Sequence, residues 1–151
     1  MTLQETITGD ARGAMKGEDA LRLMTLRMLL SAIHNREIEK HGKGETEPLT
    51  NDEVREVVRR EAKKRKEAIA LYEQGGRAEL AEKESHELKV LEAYLPPELS
   101  AEELKTIVAP IVEKAKSAGV HEFGKVMGQV MAAVKGKADA KAVGELVKEL
   151  L

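Results

Sequence analysis

Apolar residues recur at three- and four-residue intervals through every substantial segment of this chain, and no run alternates with the two-residue period of a strand. The pattern predicts helices throughout. A first helix is expected over Leu3 to Lys16, ending near Gly17. A second, from about Glu18 to Lys40, is apolar on most of its circumference (Leu21, Leu23, Met24, Leu26, Met28, Leu29, Leu30 and Ile33), which predicts a central helix covered by neighbours. The polar stretch HGKGETEPLT breaks the pattern, and Thr50 with Glu53 forms a capping box that opens a third helix reaching Gln74. Gly75 and Gly76 stop it. A fourth helix follows from about Arg77 to Leu95.

Pro96 and Pro97 forbid continuation, since each lacks an amide donor and restricts the residue before it. They mark the expected domain boundary, giving residues 1–96 and 97–151. Beyond them, Ser100 with Glu103 makes a second capping box for a helix striped by Leu104, Ile107, Val108, Ile111, Val112 and Ala115. A sixth helix carries Phe123, Val126, Met127, Val130, Met131 and Val134. Asp139 is the expected N-cap of a seventh with Val143, Leu146, Val147 and Leu150. The predicted fold class is all-α: an N-terminal bundle of about four helices and a small C-terminal three-helix bundle.

Composition then narrows the chemistry. The 151 residues include no cysteine, so disulfides, thiolate nucleophiles and thiolate metal sites are excluded. The N-terminal stretch MTLQETITGDARGAMKGEDA is too polar for a secretory h-region, and Arg22 and Arg27 interrupt the longest apolar run. A cytoplasmic protein without membrane association is the expectation. A net charge of -2 argues against an indiscriminate polyanion binder, so DNA is not an expected ligand and any RNA contact must be local.

Two constellations of charge stand out. Glu61 and Arg65 fall inside the apolar arc of the third helix, and Glu84 and Glu87 fall inside that of the fourth. A buried guanidinium needs such partners, so these four residues are read as a structural polar network rather than an acid–base pair. The opposite face of the third helix carries Arg55, Arg59, Arg60, Lys63 and Lys66, read as a solvated face supported by its own acids. His34, His41, His86 and His121 have no metal-ligand spacing, and no nucleophile motif occurs, so no metal, cofactor or catalytic residue is assigned.

The second constellation is GKVMGQVMAAVKGKADAK. It lacks the glycine spacing and hydroxyl residue of a Walker A loop, and no strand precedes it. Gly124 and Gly128 lie four apart, which suggests a seam for close helix packing, while Lys125, Lys135, Lys137 and Lys141 give the segment a local positive balance. The turn also presents the amides of the last helix toward any phosphate.

Taken together, MTLRMLLSAIHNREIEK, REAKKRKEAIALYEQGGRAEL, LEAYLPPELSAEEL and GKVMGQVMAAVKGKADAK resemble the GatB/YqeY family over nearly the whole chain. The part from Pro97 onward resembles the tail domain of the B subunit of glutamyl/aspartyl-tRNA amidotransferase. That resemblance implies a helical domain that holds tRNA, with Lys125, Lys135, Lys137 and Lys141 as candidate phosphate contacts. It implies an adaptor, non-catalytic alone, whose partners are tRNA and an amidotransferase or aminoacyl-tRNA synthetase. Two alternatives remain open: a component of a carbon–nitrogen ligase assembly using glutamine as amido donor, and a protein-interaction module without RNA.

Overall fold

The computed structural model describes residues 1–134 and 137–151. Among them are seven helices and no strand: α1 (Leu3–Lys16), α2 (Ala20–Gly42), α3 (Asn51–Gln74), α4 (Ala78–Glu92), α5 (Ala101–Ser117), α6 (Phe123–Val134) and α7 (Ala140–Leu150). The chain divides into two compact units, Met1–Leu95 and Pro96–Leu151.

In the first unit, α1 opens with a capping box between Thr2 and Glu5, and α3 with the one between Thr50 and Glu53. Each satisfies two backbone donors that a helix start otherwise leaves bare. The core gathers Ile7 from α1, Leu26, Leu29 and Ile33 from α2, Val54 and Val58 from α3 and Leu91 from α4. The Asp10 carboxylate accepts a 2.6 Å hydrogen bond from the Tyr94 hydroxyl, tying the chain beyond α4 back to α1. Burial, and then the neighbouring Asp10 carboxylate, hold the Tyr94 phenol proton on well above the ordinary range.

Helix α2 is less covered than its sequence suggests. Met24, Met28 and Ile38 remain exposed on the side turned away from the core. Within the first unit, α1, α3 and α4 pack against α2 and leave that side of its circumference uncovered.

The second unit is a three-helix bundle whose centre is built from valines: Val108 and Val112 of α5, Val126, Val130 and Val134 of α6, and Val143 and Val147 of α7. The Ser100–Glu103 capping box starts α5. Asp139 occupies the N-cap position of α7 but its side chain makes no capping hydrogen bond.

Candidate nucleic-acid interface

The α6–α7 hairpin corrects one reading of the sequence. Gly124 and Gly128 do not form a packing seam; both are exposed, and a Cβ added at either meets nothing within 4 Å. The glycine that admits a neighbour is Gly144 on α7, where an added Cβ would stand 3.7 Å from Met127 Cε and 3.7 Å from Phe123 Cζ. The valine positions explain the difference. Val126, Val130 and Val134 set the buried arc of α6, and at 100° per residue Gly124 and Gly128 fall on the far side, with Lys125 and Ala132 flanking them.

Lys125 is exposed and its Nζ lies 3.5 Å from Glu122 Oε2, a surface pair of little strength. Lys137 and Lys141 are exposed and make no ion pair with a described residue. Lys135 lies outside the described residues. Lys137 is held by its backbone: its amide donates to the Val134 carbonyl at 3.0 Å, and its carbonyl accepts from the Leu99 amide at 2.8 Å. Lys125 in the first turn of α6 and Lys137 beyond its last are separated by most of a helix length, on the order of 15 Å. These two candidate cations are therefore too far apart to share a single phosphate.

The polar network of the first unit assembles Arg65, Glu84 and Glu87. Arg65 Nε lies 3.1 Å from Glu87 Oε2 and 3.5 Å from Glu84 Oε2, with side chains 12%, 7% and 18% exposed. A further guanidinium nitrogen, Nη2, donates to Met28 Sδ at 3.6 Å, a weak acceptor for a charged donor. Burial, followed by repulsion from Glu87, raises the Glu84 carboxyl above the ordinary carboxylate range. Glu61 stands apart from this cluster: its Oε1 pairs with Lys64 at 3.1 Å, because the Arg65 guanidinium is engaged by carboxylates from the facing helix. The geometry is a helix-to-helix clamp of two acids on one base.

Two arginines on the basic face of α3 are paired within the helix. Arg55 meets Asp52 at 2.7 Å and Arg60 meets Glu56 at 2.9 Å. Pairs at this spacing support a helix and leave little field for a ligand.

Sequence reasoning misses the most buried cation among the described residues. Lys40 is 5% exposed, and its Nζ donates to Glu53 Oε1 at 2.8 Å and to the Pro48 carbonyl at 3.2 Å. Arg36 Nη2 approaches the second oxygen of the same carboxylate at 3.6 Å. The hydrogen bond from Lys40 holds the Glu53 carboxyl below the ordinary range. The sequence does carry a signal: Lys40 stands seven residues beyond Ile33, in the same arc as the core of α2.

Comparison with known proteins gives the surface a context. The sequence profile of the family described as Yqey-like protein matches residues 4–151. The chain is 32% identical over 124 residues to "Altered inheritance of mitochondria protein 41, mitochondrial" of Eremothecium gossypii, covering 80% of this chain and 66% of that protein. To the protein of the same name in Kluyveromyces lactis it is 35% identical over 109 residues, 71% of this chain and 57% of the relative. The chain thus spans less than two thirds of the length of these two relatives. It is also 37% identical over 82 residues to the B subunit of the aspartyl/glutamyl-tRNA(Asn/Gln) amidotransferase of Bifidobacterium animalis, covering 54% of this chain and 16% of that protein. The relatives named for mitochondria overturn the expected cytoplasmic location, since their names place them in that organelle. The expectation rests on missing cysteines and a polar N-terminal stretch, neither of which separates one reducing compartment from another.

Proposed function

Because the chain belongs to the family of Yqey-like proteins, matched over residues 4–151, we propose that it is a tRNA-binding adaptor, non-catalytic alone, that serves a tRNA-dependent amidotransferase or an aminoacyl-tRNA synthetase. The observation that carries this reading is the solvent face of the α6–α7 hairpin. Lys125, Lys137 and Lys141 are exposed on this hairpin, and the bare backbone at Gly124 and Gly128 leaves room beside Lys125. Similarity to the B chain of an amidotransferase that acts on tRNA supports tRNA as the polyanion. A few lysines on a helical surface recognise a folded RNA by shape and phosphate position rather than by base edges. The uncapped start of α7 adds amides suited to a phosphate oxygen.

The test is tRNA binding across a salt series with Lys125, Lys137 and Lys141 changed together to glutamate. The wild-type chain should bind at low salt, with affinity falling as salt rises by a slope near three released counterions. Absence of low-salt binding, or full retention by the triple variant, rejects the reading.

A further inference from the structure

The structure leaves one aromatic ring at the surface of the proposed RNA-binding unit. Phe123, the single phenylalanine of the chain, opens α6 and is 39% exposed. Both tyrosines, Tyr72 and Tyr94, are more covered. The ring is seated rather than loose, because its Cζ rests above Gly144 of α7, where a Cβ would stand 3.7 Å away. Lys148, one turn further along α7, places its Nζ 5.5 Å from the ring centroid.

An exposed aromatic ring packed over Gly144, with the flexible Lys148 ammonium group beside it, has the elements of a base-stacking platform: a π face for the base and a cation for the adjoining phosphate. Resting on the tRNA reading above, we propose that an unpaired base of the bound RNA stacks on Phe123 while Lys148 swings from the ring to the adjoining phosphate. The Lys148 contact lies near the outer limit of a cation–π interaction, on an exposed side chain, so a base displaces it readily. Folded RNA presents unpaired bases at its loops and ends, whereas a blunt duplex presents none. Phe123 thereby gives the surface a preference for looped RNA that lysines alone do not supply.

The chain has no tryptophan, so Phe123→Trp installs a sole indole reporter at the platform. Its emission should be quenched by unfractionated tRNA and unchanged by a blunt RNA duplex at equal occupancy. Phe123→Leu keeps an apolar side chain over Gly144; it should lose roughly tenfold in tRNA affinity, within the range for one stacked base, while keeping the salt slope and the duplex affinity. Equal emission with tRNA and duplex, or unchanged tRNA affinity in Phe123→Leu, overturns the stacking proposal. If that occurs while the lysine-to-glutamate variant loses binding, the tRNA reading stands without it. If the wild-type chain binds no tRNA, both fall together.

Discussion

Lys40 Nζ and Glu53 Oε1 lie 2.8 Å apart, joining the end of α2 to the first turn of α3 across the polar stretch between them. The same ammonium group holds the Pro48 carbonyl, and Glu53 also closes the capping box of α3. One carboxylate thus serves a helix start, a loop and a buried cation. Lys40→Met keeps the apolar stem but leaves the Pro48 carbonyl without its donor, at a cost of about 1–3 kcal/mol. Urea denaturation at neutral pH should show a lower midpoint with an unchanged slope. The pH dependence follows from the lowered Glu53 carboxyl. Its contribution is complete above the unfolded value of 4.5 and fades as pH falls through the folded value. The stability gap between wild type and Glu53→Gln should therefore narrow in acid.

Glu84 behaves in the opposite sense. Its carboxyl is raised above 4.5 by burial and by Glu87, so the folded state holds the proton more tightly than the unfolded chain. The favourable linkage is complete below 4.5 and is lost as pH rises through the folded value. Glu84→Gln removes one of two carboxylates facing a single guanidinium and should raise the thermal midpoint at neutral pH by a few degrees, on the order of 2–5 °C. The gain should shrink toward pH 4. A variant less stable than wild type at neutral pH would mean that Glu84 contributes more as a partner of Arg65 than it costs as a neighbour of Glu87.

Arg65→Leu strands both carboxylates. Removing one side of a buried pair typically costs about 3–5 kcal/mol, and the thermal midpoint should drop accordingly. The loss should be smaller in Glu84→Gln/Arg65→Leu than in Arg65→Leu alone, because fewer buried charges are left unpaired. At a temperature where the variant stays folded, tRNA affinity should match wild type; lost binding with unchanged stability would give Arg65 a direct role in the ligand site.

Much of the architecture is legible in the sequence because periodicity and capping report on local chemistry. Thr50 with Glu53 and Ser100 with Glu103 announce helix starts within four residues of sequence. What is not legible depends on the facing surface. Gly124 and Gly128 read as a packing seam, since spacing alone does not reveal which side of α6 is buried. Lys40 escapes notice because a lysine in an apolar arc is visible only when the arc is extended past Ile33. Glu61 shares an arc with Arg65, yet its partner is decided by which carboxylates the opposite helix brings.

The exposed glycines supply the sharpest separation of fold from function. Glycine inside a helix costs roughly 0.5–1 kcal/mol relative to alanine, and at Gly128 the added methyl meets open space. Gly128→Ala should therefore stabilise the chain by about that amount, with a smaller gain at Gly124 in the first turn. Neither substitution changes charge, so the lysine field is untouched. If RNA approaches α6 over this bare backbone, the double alanine variant gains thermal stability and loses tRNA affinity severalfold with an unchanged salt slope. If affinity is retained, the lysines engage phosphates without the helix backbone being approached, and close contact along α6 is excluded.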